Sequence, residues 1–396
     1  MDLRDSPDEA AFRARLREWL AANAPAHWDQ PGAERLEGAE RLAFLREWSA
    51  RLYAAGFVGL TWPSEYGGYD APLSHHLIFL EEMGRSGAPE HVTPIGLGMA
   101  GPTILSHGTE AQKARYLRPI LTGEEIWCQG FSEPEAGSDL ASLRTRAELD
   151  GDHYVVTGQK VWSSFAHEAD FCILLARSDP AAPRHSGLTY LIVPMRAPGV
   201  EVRPLRQITG DAEFNEIFLD GVRVPVENVI GRPGEGWNVA ITTLMYERAN
   251  LAVMLTVRLE IALSRLVDLA RTTRRRGRRA ADDPLVRDRI AELWTVLQAL
   301  RFTNYRALST LMSTGMPGPE GSIVKLVWAD ANQRLTKLAL EIEGPSAMLS
   351  GGEHAVQDGL WQRLQLRSRG NSIEGGTSEI LRQIVAERIL ALPRSR

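Results

Sequence analysis

Apolar positions recur along the chain with two different periods, and the change of period divides it. In the first block, 1–125, the spacing is helical. Phe12, Leu16, Trp19 and Leu20 would line one face of a helix that starts at Ser6-Pro7-Asp8-Glu9. That start is a capping box with proline at the first helical position. Further helical stretches are expected over 33–55, 72–86 and 109–121. In the second block, 126–236, short β-rich runs take over, among them 153–156, 171–178 and 187–195. Asp150-Gly151, Thr157-Gly158 and several prolines separate them, which predicts an antiparallel barrel or sandwich. In the third block, 237–396, the helical period returns in long stretches, 237–276, 284–314 and 320–343, with a last helix from 377. Helices of that length pack as a bundle. The chain therefore reads as an α+β multi-domain protein, with an N-terminal α-helical domain, a middle β domain and a C-terminal α-helical bundle.

Composition narrows this picture. A chain of 396 residues is too long for one ordinary core, in keeping with several domains. Charged residues make up 24% and the net charge is −5, which excludes a globally basic nucleic-acid binder. The two cysteines, Cys128 and Cys172, lack CxxC spacing and read as reduced, buried small hydrophobes. No charged-then-apolar leader and no membrane-length apolar run is present, so a soluble, cytoplasmic protein is expected. One charge run stands out, with arginines at 271, 274, 275, 276, 278 and 279. Its ordinary fate is a solvated helix end; a phosphate contact is the functional alternative.

Several segments could carry chemistry. Gly96, Gly98 and Gly101 spell GxGxxG, but a dinucleotide fingerprint needs a preceding strand, and the flanks here are helical. His75-His76 and the other histidines lack metal-ligand spacing, so no metal is expected. The segment CQGFSEPEAGSDLAS, 128–142, gathers glycines, hydroxyls and acids at a domain junction, a setting that suits a large polar ligand. Downstream, Trp162 adjoins Ser163 and Ser164. An indole beside hydroxyls could stack on a ring system, although a core tryptophan is the commoner explanation.

At this point four strings in order, FSEPEAGSD, GQKVWSS, DGVRVPVENVIG and GGTSEILRQIVAER, resemble the acyl-CoA dehydrogenase family over essentially the whole chain. The resemblance implies helical, β-barrel and four-helix-bundle domains, with FAD bound non-covalently. It implies that Phe131 and Ser132 face the flavin, that Trp162 and Ser164 cover its other edge, and that Thr377 and Glu379 reach FAD near the last helix. Ser138, Arg248 and Glu374 fall on the acyl-CoA side. It further implies contacts to FAD from a neighbouring subunit of a homotetramer. One would come from the arginine run, taken as Arg274; the other from a Gln-x-x-Gly-Gly segment that here reads Glu341, Gly344, Pro345. An electron-transfer flavoprotein is the implied electron acceptor.

Removing hydrogen from Cα and Cβ of an acyl-CoA needs a base, and a carboxylate serves when its surroundings raise its basicity. Most of the family places a glutamate directly before GTSEI, where this chain has Gly375. Glu374 is one residue early and would need a shifted loop. Glu247, followed by Arg248, sits on an apolar stripe with Ala240, Leu244, Leu251 and Met254 at 4-3-4-3 spacing. A buried acid is usually a structural one paired with an arginine. In the isovaleryl- and long-chain-type members, however, the base occupies this helix position, so the resemblance points to Glu247. Gly375 would keep its backbone N–H, which the family uses on the thioester oxygen. The competing expectations are a flavin oxidase or monooxygenase on the same fold, and a non-catalytic partner subunit of a mixed oligomer.

Overall fold

A computed structural model describes residues 4–25, 28, 36–275, 277–314 and 318–393, with the side chains of 249, 250, 312 and 314 excepted. The expected helical positions 33–35 and Arg276 lie outside the described residues. In chain order the first block holds helices α1 (Pro7–Asn23), α2 (Gly38–Ala54), α3 (Leu73–Ser86), α4 (Gly101–His107) and α5 (Glu110–Thr122). Seven strands follow: β1 (Trp127–Gly130), β2 (Arg146–Asp150), β3 (His153–Ser164), β4 (Phe171–Arg177), β5 (Leu188–Pro194), β6 (Val200–Leu205) and β7 (Phe214–Pro225). The last part contains α6 (Gly236–Thr272), a two-stranded hairpin of β8 (Arg274–Arg275) and β9 (Arg278–Arg279), and α7 (Pro284–Thr314). It ends with α8 (Glu320–Glu343), α9 (Leu360–Arg367) and α10 (Ser378–Ile384).

Contacts divide the chain into two compact units, one of residues 36–72 and 90–247, the other of 1–35, 73–89 and 248–396. In the first, β4 is the hub of the sheet. It pairs antiparallel with β5, parallel with β1, and bridges to β2 at Arg146–Arg177. Both β4 and β5 are covered on each face, which is why their sequences, FCILLAR and LTYLIVP, run apolar without alternation. Strands β3 and β7, by contrast, alternate buried and half-buried positions and pair antiparallel along most of their length. The expected antiparallel pairing thus holds for β2–β3, β3–β7, β6–β7 and β4–β5, whereas β1–β4 is parallel. Cys128 and Cys172 are partners in that parallel pair, both buried and both free thiols.

In the second unit α1 starts as its sequence requires. The Ser6 hydroxyl accepts from the Glu9 amide, and the Glu9 carboxylate accepts from the Ser6 amide. Phe12, Leu16 and Leu20 are buried, and Arg13 joins α1 to α3 through Glu81 and Glu82. The core of this unit is a leucine-rich cluster in which Leu259, Leu263 and Leu266 of α6 meet Leu293, Leu297 and Leu300 of α7 and Leu335, Leu338 and Ile342 of α8. The 4-3 spacing within each set is the stripe a packed helix needs. Among the described residues no helix is long and apolar enough to cross a membrane, and no His/Cys/Asp/Glu group could hold a metal ion.

The glycines of the GxGxxG string serve packing. Gly96 opens a π-helical turn that runs into α4, and no strand precedes it. A β-carbon on Gly101 would fall inside the Trp62 ring, so only hydrogen fits there. Alanine at 101 should gain about 1 kcal/mol of helix propensity but lose more to overpacking against the rigid indole. Chemical denaturation of Gly101→Ala should therefore show a net loss of up to about 2 kcal/mol, the overpacking cost less the gain in propensity; an unchanged midpoint would mean that the indole yields.

Candidate active site

In the first unit the FSEPEAGSD segment is held by one buried pair. Lys160 of β3 is fully buried and donates to the carbonyl of Phe131 at 3.0 Å and to the Glu133 carboxylate at 2.9 Å. The same carboxylate accepts from the amides of Arg144 and Thr145, at 2.6 and 2.9 Å. Burial works to raise the Glu133 carboxyl, but the Lys160 ammonium and these hydrogen bonds outweigh it and hold it below the usual carboxylate value. Phe131 is buried edge-on to Tyr190, with ring centroids 5.7 Å apart. The Tyr190 hydroxyl meets Thr243 at 2.9 Å, and Thr243 meets Thr103 at 2.8 Å, so a chain of buried hydroxyls backs the loop.

The backbone then joins two motifs distant in sequence: the Val161 amide donates to the Ser132 carbonyl at 2.9 Å. Next to that bond the β3–β7 register breaks between Lys160 and Ser163. Trp162 sits in this bulge at φ +61 with 60% of its surface exposed, edge-on to Phe214 at 6.0 Å. The core explanation for Trp162 therefore fails. A bulky residue in the left-handed region costs on the order of 1–3 kcal/mol and persists only where the surrounding structure over-determines it. Ser164 is half-buried at the end of β3, and Ser138 is exposed beyond the turn formed by Glu133 and Ala136.

In the second unit Glu374 is tied down. Arg367 donates to both of its oxygens, at 2.7 and 3.3 Å, and Asn371 donates at 2.7 Å. Gly375 and Gly376 follow at φ +59 and +98, a conformation that glycine adopts without strain. Thr377 caps α10, its hydroxyl accepting from the Ile380 amide at 3.3 Å. Glu379 lies in the first turn, exposed and 3.6 Å from Arg382. The expected terminal helix is short, ending at Ile384 and continuing only as a π-helical turn to Ile389.

The arginine run differs from its expected form. Helix α6 stops at Thr272, and Arg274, Arg275, Arg278 and Arg279 form the β8–β9 hairpin rather than a helix end. Gly277 at φ +79 makes the tight return possible, and Arg274 donates to its carbonyl at 3.1 Å. This hairpin lies against the end of α8: Arg275 donates to the Glu341 carbonyl at 2.9 Å. The Glu341 carboxylate pairs with Arg289, and Gly344 ends the helix at φ +64. The two segments expected to serve a neighbouring subunit's cofactor are thus neighbours.

Glu247 and Arg248 lie at the point on α6 where the two units divide. Leu244, Glu247, Leu251 and Met254 are all half-buried, while Ala240 is buried, so the stripe skirts the core rather than filling it. The Arg248 carbonyl lies close to α8, where a β-carbon on Gly321 would come within 3.2 Å of it. The sequence reading missed Lys160. Its signal was parity: Tyr154 and Val156 point inward, and an even-numbered lysine on the same strand does too.

Comparison with known proteins decides the family. Models of the acyl-CoA dehydrogenase N-terminal, middle and C-terminal domains match residues 6–124, 128–222 and 234–390. The acyl-CoA dehydrogenase IpdE1 of Mycobacterium tuberculosis is 44% identical over 391 residues, 98% of each chain. The chain belongs to the acyl-CoA dehydrogenase family. Its relative of the same name in Mycolicibacterium smegmatis is 43% identical over 396 residues, 97% of each chain. Among solved structures, one described as Tcur3481-Tcur3483 steroid ACAD is 32% identical with a TM-score of 0.85, covering 100% of both chains. The ChsE4-ChsE5 complex from Mycobacterium tuberculosis is 30% identical, also with a TM-score of 0.85 and full coverage. This acyl-CoA dehydrogenase is accordingly an oxidoreductase of a flavoprotein family.

Within it the Lys160–Glu133 pair can be tested directly. Lys160→Met leaves a buried carboxylate uncompensated and should cost about 3–5 kcal/mol, whereas Lys160→Met with Glu133→Gln should recover most of that loss. Denaturant midpoints of parent, single and double variants measure it; equal losses in both would show that charge compensation is not what holds the loop.

Proposed function

We propose that this enzyme desaturates an acyl-CoA between Cα and Cβ, with Glu247 as the base and FAD as the cofactor. The observation that carries the assignment is Gly375, a residue without a side chain where most of the family has its acid, together with Glu247 on the half-buried stripe of α6. Glu374, the other candidate, has both oxygens engaged by Arg367 and Asn371.

The residues present fit a flavin. An exposed indole in a strained bulge, joined by one hydrogen bond to the Phe131–Ser132 loop, offers a flat face beside backbone and hydroxyl groups. Phe131, Ser132, Trp162 and Ser164 would hold the ring system, and Thr377 and Glu379 the remainder. When bound, FAD supplies the acceptor for the β hydride. Glu247 takes the α proton onto its carboxylate, and the Gly375 N–H donates to the thioester oxygen, favouring the enolate that proton loss creates. Ser138, Arg248 and Glu374 stand on the acyl-CoA side. A glycine at 375 removes bulk next to Cα, and the full-length likeness to a steroid ACAD supports a bulky, ring-bearing acyl group. For assembly, the Arg274 hairpin and the Glu341–Gly344 segment form one basic surface suited to the phosphates of a neighbouring subunit's FAD in a homotetramer. The structural likeness to the ChsE4-ChsE5 complex supports a mixed assembly as the alternative. Electrons would pass on to an electron-transfer flavoprotein.

Anaerobic bleaching of the bound flavin by straight-chain and ring-bearing acyl-CoAs tests the reading. Glu247→Gln should keep FAD yet slow bleaching by at least ~10²–10⁴-fold, with Glu374→Gln far milder. Bleaching that survives in Glu247→Gln and vanishes in Glu374→Gln would reverse the assignment. Rapid oxygen consumption with substrate would instead mark an oxidase. Separately, Trp162→Ala should lower FAD content or shift the flavin spectrum while leaving thermal stability near that of the parent, because alanine keeps the β-carbon that makes this backbone conformation costly. Unchanged flavin with lowered thermal stability would return Trp162 to a packing role.

A further inference from the structure

Helix α8 carries a stripe of polar side chains where a packed helix would carry apolar ones. Lys325 donates to the Gly376 carbonyl at 2.6 Å, and Asn332 to the Asn371 side chain at 2.8 Å. Gln333 donates to the Ser368 carbonyl at 3.0 Å and Thr336 to Gln365 at 2.6 Å. All four partners fall in one segment, residues 365–376. Lys325 is only 4% exposed, and Asn371, Ser368 and Thr336 are buried as well. Burying so many polar groups costs stability unless each is satisfied, so satisfying them all fixes the segment's position along α8.

The segment ends in the one place that most needs fixing. Gly375 and Gly376 have the largest backbone freedom of any residue pair and no β-carbons by which packing could hold them. Restraint comes from the residues on either side. Before the pair, Glu374 is held by Arg367 and by Asn371, which Asn332 holds in turn. After it, Lys325 grips the carbonyl of Gly376, and Thr377 closes the next turn. We propose that Lys325 on one side, and the Asn332–Asn371–Glu374–Arg367 chain on the other, are positioning groups that orient the Gly375 N–H toward the thioester oxygen. This rests on the reading of Gly375 above. It also adds a second part to the place of Glu374 on the acyl-CoA side: its carboxylate is the knot that anchors the near side of the turn.

Hydrogen–deuterium exchange on the FAD-loaded enzyme tests this, with Lys325→Met cutting one side and Asn332→Ala the other. A hydrogen bond from a charged donor is worth enough that Lys325→Met should speed exchange of the 370–381 amides about ten- to a hundredfold. Asn332→Ala should do so by roughly fivefold, the share of a neutral bond. Peptides of α7 and α8, and FAD content, should not change. Both variants should slow flavin bleaching by acyl-CoA while leaving its KM near that of the parent, the split expected when an interaction made in the transition state is lost. Exchange at 370–381 that stays at the parental rate, or that rises equally throughout the molecule, overturns the proposal. If exchange rises selectively but no acyl-CoA bleaches the parent flavin, the clamp stands and the thioester role of Gly375 falls.

Discussion

A charge with no water around it must be met by another, and the first unit of this enzyme is organised by that constraint. The Lys160 ammonium points inward from β3, so the chain has to bring it a carboxylate and a carbonyl. Glu133 and Phe131 supply them, which forces the loop between β1 and β2 to lie along β3. With the loop in place, Ser132 can pair with Val161, and the bulge that follows has one edge already committed. The exposed face of Trp162 is the result. Replacing the pair by apolar groups of the same volume could cost little in stability, yet it would remove the reason for the loop to be where it is.

The second unit solves a similar problem with a similar device. A buried ammonium, that of Lys325, again takes hold of a loop by its carbonyl, here beside two glycines. In both units a loop that carries some of the residues expected to meet cofactor or substrate, Phe131 and Ser132 in one and Gly375 in the other, runs where a lysine from a regular element sets it. This is economical: loops tolerate the conformations a site requires, and helices and strands provide the rigidity.

Much of this was legible in the sequence because it is written in local rules. The capping box at Ser6, the 4-3 leucines of α6 to α8 and the unbroken apolar runs of β4 and β5 each announce themselves within a dozen residues. The four ordered strings made the family plain. The arginine hairpin was less legible, since a run of good helix formers hides a two-residue strand pair whose only local sign is Gly277. The parallel β1–β4 pair and the grouping of α1 and α3 with the C-terminal helices depend on contacts far apart in the chain, which periodicity does not encode. Lys160 and Lys325 were missed for a related reason: a lysine looks like surface until its partner is known.

The two cysteines, finally, bear on how the molecule can be watched. Cys128 and Cys172 face each other across β1 and β4, and burial pushes the Cys128 thiol well above its ordinary value, so little reactive thiolate forms there. They are the only two in the chain. A cysteine introduced at an exposed position such as Ser138 would then be the one readily alkylated group, and could carry a fluorophore or spin label without first stripping the native thiols. The loop that the buried lysine holds in place would become directly visible to spectroscopy as ligands come and go.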